Sequence, residues 1–154
     1  MEEEITIEVI EKEINEIQIQ KLIPMIKMQL YKDESSSTDK KIEHAVRNAF
    51  KKEARSVFFI CYIMNYIVGF AFGNVGSGLE SGGDYFWINE LYIEENNRKK
   101  GFASKILMFI ETWAKERNIK HIACITGDNN ENAKRLYKKN KYEISSVVWV
   151  DKDV

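Results

Sequence analysis

The sequence contains few of the residues that mark specialised classes of protein. Its 154 residues include one proline and two cysteines. Cys61 and Cys124 each lie inside an apolar run and are not spaced as ligand pairs. This predicts reduced, buried thiols and argues against a disulfide framework or a metal site. No apolar run approaches the roughly 20 residues that a membrane-spanning helix needs.

Neither sign of charge is in excess. Lys and Arg total 23 and Asp and Glu total 24, so the composition gives no reason to expect nucleic acid or a membrane as a partner. The first ten residues, MEEEITIEVI, are acidic and unlike the basic and then apolar start of a signal peptide. We therefore expect a cytoplasmic protein, and the sequence is as compatible with a homodimer as with a monomer.

The periodicity of apolar residues predicts a single α/β domain over residues 1–154, with a mixed central β-sheet flanked by helices. The predicted order is β-α-α-β-β-β-α-β-α-β. Strands are predicted at 4–10, 56–64, 66–74, 85–93, 121–126 and 142–150. Helices are predicted at 14–30, after a cap at Thr38 or Asp39, after Gly101, and after a cap at Asp128, Asn129 or Asn130. The apolar stripe of the first helix is predicted to comprise Ile17, Leu22, Ile26 and Leu30.

The segment YFWINELYI (85–93) is apolar at both parities, so we expect it near the centre of the sheet with both faces covered. Its aromatic residues Tyr85, Phe86 and Trp87 are expected in the core rather than as a platform for the acceptor. A basic turn follows, in which Arg98, Lys99 and Lys100 precede Gly101 and an amphipathic helix. Free N–H groups and the helix dipole make such a helix start a phosphate site. Taken alone, the same pattern also fits a solvated loop.

Two sequence motifs, in the order found in a known family, favour a binding role for this turn. The run R98-K-K-G101-F-A103 resembles the Arg/Gln-x-x-Gly-x-Gly/Ala signature of the GCN5-related N-acetyltransferase (GNAT) superfamily. NENAKRLYKKNKY (130–142) is similar to the family's second motif, Asn-x-x-Ala-x-x-Leu-Tyr, which ends in Gly-Phe. Lys141-Tyr142 stands in place of Gly-Phe, and we expect Asn140 to supply the left-handed residue after the last helix.

The resemblance implies acetyl-CoA as co-substrate and no metal. It places pantetheine in an opening between the strand ending at Ile93 and the strand at 121–126. The main chain of Leu91, Tyr92 and Ile93 would pair with it, and one N–H, that of Ile93, would polarise the thioester carbonyl. Asn130 and Ala133 would lie along the pantetheine arm. The pyrophosphate would be held by the N–H groups of Lys99, Lys100, Gly101, Phe102, Ala103 and Ser104, with Arg98 adding charge nearby.

An acceptor amine is protonated near neutral pH and must lose a proton before it attacks a carbonyl. Glu90 is the one acid within the apolar strand, and burial would raise its pKa toward the useful range, so it is the predicted base. The alternative is that a bulge turns Glu90 to solvent or into an ion pair. Its substitutes are Glu80, Asp84 and Glu94.

Tyr137 matches the family tyrosine that protonates the leaving thiolate, although without the resemblance it would be interpreted as core packing. Neither Cys124 as a nucleophile nor the two histidines have a pattern that supports a catalytic role.

The predicted reaction is direct acetyl transfer, in a ternary complex, to a primary amine of a small cationic molecule such as an aminoglycoside or polyamine. The loops at 31–38 and 76–84 support a cationic acceptor, because they carry Asp33, Glu34, Glu80 and Asp84 against Lys32. The alternatives are a protein or peptide N-acetyltransferase and a non-catalytic acetyl-CoA-binding module. The presence of Glu90 and Tyr137 favours catalysis, since a binding module needs neither.

Overall fold

The computed structural model describes residues 4–32 and 35–154, which divide into a compact unit up to Cys124 and a second from Ile125 onward. The strands of the first unit are β1 (Thr6–Ile10), β2 (Ser56–Ile63), β3 (Tyr66–Gly78), β4 (Gly83–Ile93) and β5 (His121–Cys124). Its helices are α1 (Glu16–Leu30), α2 (Ser36–Ala49) and α3 (Phe102–Glu116), with a short 3-10 turn at Glu95–Asn97. The second unit contains α4 (Glu131–Lys139). None of the described helices is both long and apolar enough to span a membrane.

The five strands form one mixed sheet in the order β1-β2-β3-β4-β5. Neighbours pair antiparallel except β4 and β5, which are parallel. The predicted α/β class is therefore confirmed. The strands predicted at 56–64 and 66–74 form a hairpin, since Ile63 pairs with Tyr66 across a two-residue turn at Met64 and Asn65. The central strand is β3; β4 lies beside it, between β3 and β5.

Helix α1 begins with a capping box, in which Asn15 accepts a hydrogen bond from the Gln18 N–H and the Gln18 side chain accepts one from the Asn15 N–H. Pro24 lies inside the helix. The predicted apolar stripe is partly wrong, because Ile17 and Leu30 are exposed. The buried face consists of Ile19, Leu22, Ile23 and Ile26.

Helix α2 begins at Ser36, so the predicted cap at Thr38 or Asp39 is wrong. Thr38 lies inside the helix and is buried. Asp39 is in the first helical turn, where its carboxylate pairs with Lys27 of α1 at 2.8 Å. A carboxylate is favourable in the first turn as well as at the cap, so residue type alone did not distinguish the two positions.

The sheet has a separate core on each face. On one face α1 and α2 pack against the strands, and the cluster includes Ile19, Ile42, Phe58 and Phe70. On the other face the ring of Trp113 from α3 meets Phe59 and Phe86 edge to face, at 5.2 and 5.1 Å between ring centroids. The prediction that Phe86 is a core residue is confirmed.

The chain around 76–84 is strand for most of its length rather than the predicted loop. Gly76, Ser77 and Gly78 extend β3 and pair with Tyr85, Asp84 and Gly83 of β4. The turn is reduced to 79–82. Backbone pairing across a hairpin overrides the turn preference of a Gly/Ser-rich composition here.

The predicted last strand at 142–150 is wrong: in the described C-terminal unit, no strand follows α4. The composition of this segment favours a strand, yet Val147, Val148, Trp149 and Val150 are all exposed. A strand needs a partner for its backbone groups and a surface for its side chains, and β-propensity alone supplies neither.

Candidate active site

Strand β4 contains a β-bulge at the predicted base. Phe72 of β3 pairs with Glu90, but the next residue of β3, Gly73, pairs with Ile88, so Asn89 is an extra residue. The backbones approach closely at this point: a Cβ on Gly73 would lie 2.3 Å from the carbonyl oxygen of Trp87. The strand thus accommodates the extra residue only because its partner lacks a side chain there.

The bulge decides which face of the sheet receives Glu90. Side chains alternate along a strand, so an unbroken β4 would place Glu90 on the same face as Ile88. Because Asn89 is inserted, Glu90 instead shares the face of its partner Phe72, which packs against the α1 and α2 cluster. The carboxylate is therefore carried from the α3 face to the α1 face.

On that face Glu90 is half-buried and meets one polar side chain. The Nε2 of Gln29, in the last turn of α1, donates a hydrogen bond to Glu90 Oε2 at 2.6 Å. Burial raises the pKa of the Glu90 carboxyl above its usual value. The bulge that the alternative interpretation invoked is present, but it neither turns Glu90 to solvent nor places it in an ion pair with any described residue.

Beyond the bulge, β4 pairs with one strand only among the described residues. Pairing with β3 continues to Ile93, whereas β5 pairs with Tyr85–Ile88 and no further. The resemblance predicts an opening between these two strands, and residues 89–93 are the part of β4 that β5 leaves unpaired.

The register also identifies which N–H groups face the opening. Glu94 donates its N–H to the carbonyl of Val68 at 2.9 Å, which fixes the phase of the antiparallel ladder. Residues in such a ladder alternate between bonded pairs and pairs whose N–H and C=O groups point away from each other. By this alternation the backbone of Tyr92 is bonded to β3, while the N–H groups of Leu91 and Ile93 point toward the opening.

The basic turn leads into α3 as predicted. Gly101 precedes the helix with φ +82°, and a Cβ built there would have no atom within 4 Å, so the space above this residue is open. The side chain of Arg98 is held by two contacts. Its Nε donates a hydrogen bond to the carbonyl of Ile93 at 2.9 Å, and its guanidinium lies 5.6 Å from the centre of the Tyr92 ring. Arg98 therefore ties the turn to the end of β4.

The second motif lies in the C-terminal unit. Asn130 caps α4 by accepting a hydrogen bond from the Ala133 N–H at 3.1 Å. Tyr137 is buried, with its ring edge-to-face against Tyr142 at 5.5 Å. The left-handed residue after this helix is Lys141, with φ +65°, and not Asn140 as predicted, so lysine itself takes the conformation at the family's glycine position.

The acids that were predicted to border an acceptor differ in their surroundings. Asp84 is paired with Arg55, whose hydrogen bond lowers the pKa of the Asp84 carboxyl. Glu94 is exposed and accepts a hydrogen bond from Asn97. Glu80 is in the short turn between β3 and β4. Asp33 and Glu34 lie outside the described residues.

The two thiols are not equivalent. Cys61 is buried, and desolvation raises the pKa of its thiol to about 11, so it is not a nucleophile near neutral pH. Cys124 is half-buried at the end of β5. Among residues 4–32 and 35–154, no cluster of three or more His, Cys, Asp or Glu side chains is placed to hold a metal ion.

Sequence reasoning missed Gln29, although a signal was present. The buried face of α1 runs through Leu22 and Ile26, and position 29 continues that stripe, seven residues after the first and three after the second. A polar side chain at a position where periodicity demands an apolar one often marks a functional site.

Comparison with known proteins places this geometry in context. A sequence model described as "Acetyltransferase (GNAT) family" matches residues 25–142. A ribosomal-protein-alanine N-acetyltransferase from Brucella melitensis biovar Abortus 2308 superposes with a TM-score of 0.76 at 14% identity, covering 97% of this chain and 100% of that one.

Two further solved structures are similar over the same extent. An aminoglycoside acetyltransferase from an uncultured soil metagenomic sample, solved with sisomicin, gives a TM-score of 0.76 at 14% identity, covering 97% and 96% of the two chains. A predicted acetyltransferase from Clostridium acetobutylicum, solved with acetyl-CoA, gives 0.73 at 20% identity with the same coverage.

Proposed function

The chain belongs to the acetyltransferase (GNAT) family, and from that premise we propose that it transfers the acetyl group of acetyl-CoA to a primary amine of a small cationic molecule. The observation that carries this proposal is the open edge of β4 directly beside Glu90. Donor groups for a thioester and a half-buried carboxylate are combined there on one strand.

The residues present fit acetyl-CoA. An extended pantetheine chain adds to a sheet edge through amide hydrogen bonds, and Leu91 and Ile93 direct their N–H groups to such an edge. A pyrophosphate needs backbone N–H donors and room to approach them, which the open space at Gly101 before α3 supplies. Arg98, Lys99 and Lys100 add positive charge to the same turn.

Each assigned residue then has one step. Glu90 takes a proton from the acceptor ammonium, directly or through water, and leaves a neutral amine able to attack the thioester carbonyl carbon. The Ile93 N–H donates to the carbonyl oxygen as negative charge develops on it. The new C–N bond forms as the C–S bond breaks. The resemblance assigns to Tyr137 the phenolic proton that the departing sulfur takes up, and the second proton of the acylated nitrogen returns to the phenolate through solvent.

The acceptor is proposed to be cationic, although fewer acidic residues support this than the sequence analysis suggested. The charge of Asp84 is neutralised by Arg55. Among the described acids at 76–84, this leaves Glu80 to attract a cationic acceptor, together with Glu90 on β4. The similar aminoglycoside acetyltransferase from the soil metagenome supports the same class of acceptor. The similarity to a ribosomal-protein-alanine N-acetyltransferase favours one second candidate, the amino group of a protein N-terminus.

A thiol-release assay with acetyl-CoA and a panel of amines tests the proposal. The panel contains an aminoglycoside, a polyamine, a peptide with an N-terminal alanine and a neutral amine. We expect a polycation to give the highest kcat/KM and that value to fall as salt is raised, because exposed charges are screened. Preference for the peptide would establish the second candidate, and absence of turnover with every acceptor class would contradict catalysis.

A further inference from the structure

One amide in the first unit is only half satisfied. The Nε2 of Gln29 is bonded to Glu90, but its Oε1 is buried and has no hydrogen-bond partner among the described residues. A buried carbonyl without a partner destabilises a fold, because it has given up its bond to water. Substituting an apolar side chain here would remove that penalty.

Gln29 is therefore poorly explained as a structural residue. It occupies a position on the buried face of α1, where Leu22 and Ile26 precede it in the stripe. Stability would be served better by an apolar residue that continues the stripe. A residue that costs stability at its position suggests a role in function.

The partner supplies that role. Among the described residues, Gln29 is the only side chain that hydrogen-bonds to Glu90, and it bonds to one carboxylate oxygen, Oε2. An N–H donor favours the ionised carboxylate, which accepts at both oxygens, and fixes the rotation of the carboxylate plane. The other oxygen, Oε1, is left to accept a proton.

We propose that Gln29 is the positioning residue of the general base: its amide holds the Glu90 carboxylate ionised and oriented, with Oε1 directed to the acceptor amine. This inference rests on the proposed function, in which Glu90 is the base. It also makes the end of α1 a functional element, because movement of that last helical turn changes the donor to Glu90.

Other titratable groups on this face do not supply the same effect. They include Glu8, Tyr62, Tyr92, Lys27, Tyr31 and Asp39, together with Lys21, Lys41 and Arg98, which lie over the rings of Tyr62, Tyr31 and Tyr92. Lys27 is paired with Asp39 at 2.8 Å, and Tyr62 donates to Glu8 at 2.8 Å. Burial alone, with no charged neighbour, accounts for the raised pKa of Glu90.

The test compares two glutamines of the same helix. Gln29→Met keeps the length of the side chain and removes its donor, and Gln29→Glu places a second carboxylate beside Glu90. The matched control is Gln20→Met, because Gln20 also donates through Nε2 to a glutamate, Glu16, at 3.2 Å on the exposed side of α1. The Glu90 carboxyl is titrated by ¹³C NMR in each protein, and Tm and the pH profile of kcat/KM are measured alongside.

We expect Gln29→Met to raise the Glu90 pKa by about one unit, since it loses a hydrogen bond to the charged form, and Gln29→Glu to raise it further. The acid limb of kcat/KM should move by the same amount, so the rate below that limb falls about tenfold. Tm of Gln29→Met should equal or exceed that of the wild type. Gln20→Met should leave the Glu90 pKa and the limb unchanged.

An unchanged Glu90 titration in both Gln29 variants would overturn the inference. So would a Gln29→Met variant with lower Tm and an unmoved limb, which is the behaviour of a packing residue. Glu90→Gln, assayed in parallel, separates the two claims: full activity there contradicts the base assignment, whereas the NMR titration reports on Gln29 regardless of which residue is the base.

Discussion

Glu11 follows strand β1 and contacts helix α3, whereas Glu90 lies within strand β4 and contacts helix α1. The two carboxylates differ in the charge of the groups around them. Glu11, just after β1, accepts from Arg117 Nε and Nη2 at 2.8 and 2.7 Å and from Trp113 Nε1 at 3.0 Å. The Arg117 guanidinium also lies 4.8 Å from the Trp113 ring centre. Glu90 meets one neutral amide.

The difference shows in the direction of each pKa. Hydrogen bonds from Arg117 lower the pKa of Glu11, whereas burial raises that of Glu90. A carboxylate with charged donors stabilises the fold, and one that is buried beside a single amide does not. The same side chain thus joins α3 to β1 in one region and is poised for proton transfer in the other.

The largest expected difference between the two regions is in activity. Glu90→Gln should lower kcat/KM roughly 10²- to 10⁴-fold, the usual contribution of a positioned general base. Glu11→Gln, the matched control, should leave kcat/KM close to that of the wild type, since Glu11 faces Arg117 and Trp113 rather than the open edge of β4. Equal losses of kcat/KM in the two variants would contradict a specific catalytic role for Glu90.

The next prediction concerns the β-bulge that places Glu90 on the face of the sheet covered by α1. Gly73→Ala should cost about 2 kcal/mol of unfolding free energy, because the added Cβ must displace backbone or the Phe86 ring. Gly83→Ala is the control, since a Cβ there lies 3.5 Å from Lys120 Cγ, an ordinary contact. Chemical denaturation measures both, and a Gly73→Ala variant as stable as the control would contradict the close approach.

The smallest effect is in the stability that Glu11 contributes. Its bond to Arg117 is partly exposed, so Glu11→Gln should lower the unfolding free energy at neutral pH by about 1 kcal/mol. A lowered pKa means that this contribution is present above the unfolded value of 4.5 and is lost as pH falls through the folded pKa. The two proteins should therefore converge in stability as pH falls below the folded pKa of Glu11.

Ionisation of Glu90 should have the opposite effect on the free energy of unfolding. Its raised pKa means that ionisation above the unfolded value weakens the fold, so Glu90→Gln should not destabilise the protein at neutral pH. Urea denaturation across pH 3 to 8 checks both signs. A Glu90→Gln variant that loses as much stability as Glu11→Gln would show that Glu90 is a structural carboxylate.

Local patterns predicted the parts of the site that depend on one segment. The turn before α3 required a glycine and basic residues in sequence, and Gly101 has the positive φ that this arrangement needs. The cap at Asn130 likewise depends on a single residue and the helix that follows. Such features are encoded within a few residues, which is why a motif identifies them.

Features that depend on a partner strand or helix were not predictable in the same way. The bulge at Asn89 requires Gly73 opposite it, and Gln29 meets Glu90 only after α1 has packed on the sheet. The apolar segment at 142–150 shows the reverse case, in which local propensity predicted a strand that the fold does not form. Tertiary pairing decided each of these.

The pH dependence of kcat/KM in wild-type protein and in Glu90→Gln tests whether Glu90 is the general base. We expect the wild-type value to rise through a limb above the usual glutamate range, because burial raises the pKa of Glu90. The variant should lack that limb and retain only the one set by the acceptor amine itself. A variant that keeps the same limb, at the same midpoint and with wild-type height, would contradict the assignment of Glu90 as the base.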